Sequence, residues 1–80
     1  MTRRALSQAV ARAAVEAPAS PRFLALAAGI PPSTLCRIVS GERRATPAVG
    51  GAVAKLLRQW ARDCEGLADH IERALATQEG

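Results

Sequence analysis

Aromatic residues are nearly missing from this chain. Phe23 and Trp60 are the only two, and there is no tyrosine. Proteins that bind single-stranded nucleic acid stack successive bases on several exposed aromatics, so that mode is excluded. Histidine occurs once, at His70, with no triad partner and no ligand spacing around it. The two cysteines, Cys36 and Cys64, lie far apart and make no CxxC pair. No metal site, cofactor, small-molecule ligand or disulfide framework is expected, and a reducing cytoplasm fits. No Ser/His/Asp or Cys/His constellation is visible, so an enzyme is not expected. Long apolar runs are lacking too: no stretch approaches the ~20 residues that a membrane-spanning helix needs. The start Met1-Thr2-Arg3-Arg4 is basic, but Arg12 and Glu16 break the apolar segment after it, so a secretory leader is not expected either.

What is present is alanine, in a chain of 80 residues. Alanine is the strongest helix former, and no segment shows the period-two alternation of a strand. The fold class expected is all-α, one domain over residues 1–80, as a bundle of four to five helices with a long C-terminal helix. A domain this small has a limited core, and oligomerisation is a common remedy. Charge is unevenly spread. Residues 1–62 hold ten Lys/Arg against Glu16 and Glu42, a net +8, whereas residues 63–80 hold Arg73 against five acids, a net −4. A basic body with an acidic end implies that only the body faces a polyanion.

Start and stop signals divide the chain. A first helix runs from about Thr2, a possible cap, to Ala17. Leu6, Val10, Ala13 and Ala14 form its apolar face, and Pro18 stops it. Ser20 caps a second helix with Pro21 in its first turn, and Gly29 ends it. A third helix begins near Pro32, carries Leu35, Ile38 and Val39, and stops at Gly41. After the basic loop Glu42-Arg43-Arg44-Ala45, Thr46-Pro47 repeats the cap-plus-proline start. Val49, Val53, Leu56, Leu57, Trp60, Cys64, Leu67, Ile71 and Leu75 then recur at spacings of three and four. One helix over about 47–77 is expected, with a break near Asp63–Gly66 as the rival. Gly50, Gly51 and Gly66 each cost such a helix about 1 kcal/mol relative to alanine. Thirty residues span ~45 Å, more than a small body covers, so the far half of the stripe is expected to need a partner.

Two short helices joined by a glycine turn define a helix-turn-helix, here about 21–41. Ala25 stands four residues before Gly29, where the helices cross closely, and Ile30, Leu35 and Ile38 anchor the third helix. The stretch FLALAAGIPPSTLCRIVSGERRATP, residues 23–47, resembles the Cro/CI-type (XRE-like) helix-turn-helix family of phage and bacterial regulators. The matching features are LA..AGI, PSTL.RI, SGERR and the Thr-Pro helix start, and the resemblance covers residues ~20–60. It implies sequence-specific binding of double-stranded DNA, usually as a dimer. Pro31, Pro32, the Gly50-Gly51 pair and the extended acidic C-terminal helix depart from the family pattern.

In this motif the start of the third helix enters the major groove. With Leu35 and Ile38 turned inward, Ser33, Cys36, Arg37 and Ser40 point outward. The base contacts expected are Ser33, Thr34, Cys36 and Arg37. Arg37 is the main reader, because a guanidinium pairs bidentately with guanine O6 and N7. Arg22, Ser40, Arg43 and Arg44 are expected on phosphates, and Arg3 and Arg4 as an N-terminal arm on the backbone. Pro31 and Pro32 supply no donors, which leaves fewer residues to read bases.

Leu56, Trp60, Cys64, Leu67, Ile71 and Leu75 form a seam for a second helix, and a homodimer on a palindromic operator is its natural use. Leu56, Leu57 and Trp60 are expected to close part of the monomer core as well. The function expected is a dimeric repressor, autoregulating a small phage or mobile-element operon, in the size range of regulators that accompany anti-CRISPR genes. The alternative is a protein-interaction module, such as an antitoxin or anti-repressor, acting through the acidic face of Asp63, Glu65, Asp69 and Glu72.

Overall fold

The computed structural model describes residues 3–78, and the side chains of residues 4–77. These residues form four helices and no strand: α1 (Arg3–Glu16), α2 (Pro21–Ala28), α3 (Pro32–Ser40) and α4 (Pro47–Gln78). The fold is all-α, as the composition requires. The proposed Thr2 cap lies outside the described residues.

The helix ends follow local chemistry. Ser20 is extended, and its hydroxyl accepts the Phe23 N–H at 3.2 Å. Pro21 takes the first helical position, where its missing N–H leaves nothing unsatisfied. Gly29 (φ 75°) and Gly41 (φ 87°) close α2 and α3 in the left-handed region, and they are the described residues with positive φ. Thr46 starts α4 by accepting the Val49 N–H at 3.3 Å.

The core is Val10, Ala14, Leu24, Ala25, Ile30, Leu35, Ile38, Ala45 and Val53, with Leu6, Ala13, Val49, Leu56, Leu57 and Trp60 packed against it. The apolar face read for the first helix is therefore the one buried. Ala25 is fully buried, as close crossing of α2 and α3 demands. α3 packs on α1 and α2, and α4 packs on the same two helices from elsewhere, so α3 and α4 are not neighbours.

α4 runs unbroken for 32 residues through Asp63–Gly66, so the two-helix alternative does not hold. No proline lies within its interior, and Glu65, Leu67 and Ala68 beside Gly66 are good helix formers. The helix outruns the body: residues 61–77 are all exposed, and the molecule measures 57 × 24 × 18 Å. Among the described residues no helix is long and apolar enough to cross a membrane.

Candidate nucleic-acid interface

α3 presents one face to the core and one to solvent. Leu35 and Ile38 are buried, while Ser33, Cys36, Arg37 and Ser40 are exposed and Thr34 is half-buried. The helical-wheel assignment of the six positions Ser33, Leu35, Cys36, Arg37, Ile38 and Ser40 agrees with the structure. Two glycine stops hold this face in place. The Ile30 N–H donates to the Ala25 carbonyl at 2.8 Å, which locks the turn before α3. After α3, the N–H groups of Glu42 and Arg43 both donate to the Arg37 carbonyl, at 2.9 and 3.2 Å. The Arg37 backbone is thus tied into the end of the helix, while its side chain is free to reach outward.

Ser40 is exposed, but its hydroxyl donates to the Arg37 carbonyl at 3.1 Å. It can accept from a neighbour, but to donate to a phosphate it must give up that bond. Of the four residues expected on phosphates, it is the one whose donor is already engaged.

The arginines converge on the α3 side of the body. Arg22, at the start of α2, lines one groove with Pro21, Pro32, Ser33, Cys36 and Val39. Arg43 and Arg44 line a second groove together with Arg4, Ser7 and Gln8 of α1. Between the grooves runs the C-terminal half of α3, since Val39 borders both. Among the described residues the one ion pair is Arg12–Glu16, at 2.6 Å on the surface. The guanidinium groups of Arg4, Arg22, Arg37, Arg43 and Arg44 therefore face solvent without a carboxylate partner.

One contact that local sequence reasoning missed positions the basic loop. The Ala45 N–H donates to Ser7 Oγ of α1 at 2.7 Å, and Ala45 itself is fully buried. This bond bridges 38 positions and sets Arg43 and Arg44 beside Arg4. Arg4 accordingly stands in the first turn of α1 rather than on a loose arm. The Arg3 side chain lies outside the described residues.

The six residues read as a dimer seam separate into two groups. Leu56 and Trp60 are half-buried against the body. Cys64, Leu67, Ile71 and Leu75 are exposed. Trp60 also stacks on Phe23, with ring centroids 6.0 Å apart and planes 25° from parallel. That contact joins α2 to α4 and is a second one that periodicity alone did not reveal. Among the described residues no group of three or more His, Cys, Asp or Glu is placed to hold a metal ion. No family model, curated protein or solved structure matches this chain.

Proposed function

We propose that this protein binds double-stranded DNA sequence-specifically and regulates transcription, as a dimeric repressor on a palindromic operator. The observation that carries this reading is the gathering of five unpaired arginines around the exposed face of α3. Arg37 and Ser33 read base edges, Thr34 offers its methyl and Cys36 its thiol at van der Waals contact. Arg4, Arg22, Arg43 and Arg44 neutralise phosphates on either side. The Gly29 turn sets the tilt of α3 to α2, which a helix inserted into a groove about 12 Å wide needs.

Selection from a random duplex pool tests it. An enriched motif with two-fold symmetry is expected. Log affinity should fall steeply against log salt, with a slope of about −0.9 for each phosphate neutralised. A pool that stays unenriched would refute specific DNA binding. It would favour the interaction-module reading, which the exposure of Glu65, Asp69 and Glu72 on α4 supports.

A further inference from the structure

We infer that the groove between the start of α2 and the exposed face of α3 takes the C5-methyl group of a thymine in the operator. The inference rests on the proposed function and deepens it, by naming a base and the residues that select it.

Two helix starts build this groove. Pro21 and Pro32 stand at the first positions of α2 and α3. A proline there presents ring carbons and no N–H. Pro32, Cys36 and Val39 follow one another along α3 at spacings of four and three, which sets them on one face. That face looks across to Pro21 and Arg22 of α2, with Ser33 beside it. The space between holds about 480 Å³ and opens to solvent, so the edge of a base has room to enter. Folding alone does not account for this apolar surface. Pro21, Cys36 and Val39 are exposed, Pro32 is half-buried, and none of them belongs to the core.

Charge selects the occupant. Arg22 lines the groove, Arg37 adjoins Cys36 in the chain, and neither has a carboxylate partner. No acid is among the residues that line the groove. An apolar side chain of another protein, or a small apolar ligand, would cover these cations without an answering charge, which is costly. Double-stranded DNA brings both chemistries at once. Its phosphates answer the arginines, and thymine's C5-methyl is the apolar group in the major-groove pattern of the base pairs. That methyl projects beside the backbone of its own strand, and Arg22 stands at the start of α2, where the backbone is held. The start of α3 thus reads a methyl group in place of the hydrogen bonds that Pro31 and Pro32 do not supply. Arg37 does not line the groove, so guanine and thymine are read at separate positions of one half-site.

A uracil scan of the selected operator tests this. Uracil keeps every hydrogen-bonding group of thymine and lacks only the methyl. Thymines are replaced one symmetric pair at a time and the duplexes compared by competition binding. At one pair the affinity should fall roughly fifteenfold, which is roughly fourfold in each half-site for one methyl withdrawn from a carbon surface. 5-Bromouracil, whose bromine is close to a methyl group in size, should restore it. The double variant Cys36→Ser/Val39→Thr keeps the shape of the groove but lines it with hydroxyls, and its uracil penalty should shrink. Both positions are exposed, so thermal melting should show the fold intact, and the arginines that hold the duplex are untouched. An operator in which every thymine tolerates uracil would overturn the inference, leave specific DNA binding standing and free the groove for an apolar partner. A penalty undiminished in the double variant would overturn the assignment to this groove. A pool that stays unenriched would instead refute the DNA reading itself, and this inference would fall with it.

Discussion

The adjacent glycines Gly50 and Gly51 predict unequal responses to the same substitution. Both lie inside α4, where replacing glycine with alanine stabilises a helix by about 1 kcal/mol. A Cβ at Gly51 would meet nothing within 4 Å, so Gly51→Ala should realise that gain. For a domain of this size it corresponds to a rise in Tm of about 4–8 °C. A Cβ at Gly50 would lie 2.8 Å from Leu6 Cδ1, 3.5 Å from Cγ and 3.6 Å from Cδ2. Leu6 is half-buried between α1 and α4, and the contact is with the end of its flexible side chain, which can turn aside for less than a full core overpacking costs. The helix gain and the crowding oppose each other. Gly50→Ala should therefore gain less than Gly51→Ala, by roughly 1 kcal/mol or less. In a Leu6→Ala background the obstruction is gone, and the two glycine substitutions should become equally stabilising. Thermal melts followed by circular dichroism, run as a double-mutant cycle, measure the coupling. Equal stabilisation by both substitutions in the native background would refute the close approach of α1 to α4 at Gly50.

Further predictions concern the DNA face. Arg37→Ala should leave stability within about 0.5 kcal/mol, as is usual for surface positions. It should cost about 1–3 kcal/mol of discrimination at one base pair of each half-site, measured by competition binding with point-mutated duplexes. Arg43→Ala should weaken binding to all duplexes alike and flatten the log–log salt dependence by about one unit per subunit, read from titrations at several salt concentrations. Ser7→Ala leaves the Ala45 N–H without its partner in a part-buried place and should cost about 1–3 kcal/mol in urea unfolding. It should also weaken DNA binding without changing which sequence is preferred, because the loop carrying Arg43 and Arg44 loses its tie to α1. Ser20→Ala should lower stability by about 1 kcal/mol through loss of the α2 cap, seen as a lower urea midpoint at unchanged slope.

What the sequence made legible was the part written in local chemistry. Ser20, Pro21 and Gly29 bracket α2, Pro32 and Gly41 bracket α3, and Thr46-Pro47 opens α4, each through a backbone requirement satisfied within a few residues. The outward face of α3 was legible because a helix of nine residues with Leu35 and Ile38 inside leaves little choice. Illegible were the contacts made across the chain. Ser7 is a serine in an alanine-rich helix, and nothing nearby announces that it holds a loop 38 positions on. Arg4 had no assignable neighbour until α1 was laid against that loop. Phe23 on α2 carried no sign that it would stack on Trp60 rather than enter the core. The Gly50-Gly51 pair counted as two helix weaknesses and a departure from the family pattern, whereas one of them lies against Leu6.

In the proposed function, the small reading surface of α3 calls for a second copy. Pro31 and Pro32 offer no side-chain donors, and the Ser40 hydroxyl is engaged with the Arg37 carbonyl. Direct readout by one body therefore falls on Arg37 and Ser33, with nonpolar help from Thr34 and Cys36. At about 1–3 kcal/mol for a good bidentate pair, one body discriminates by only a few kcal/mol. Specific DNA binding typically exceeds non-specific binding by about 4–10 kcal/mol. A single copy thus lies at or below the lower end of that range, and two copies on a symmetric site reach it by doubling the same contacts. Pairing must leave α3 uncovered to do so. Under the proposed function, a second copy that met the exposed half of α4 would add a reading head there, away from α3, since α4 lies against α1 and α2 and not against α3.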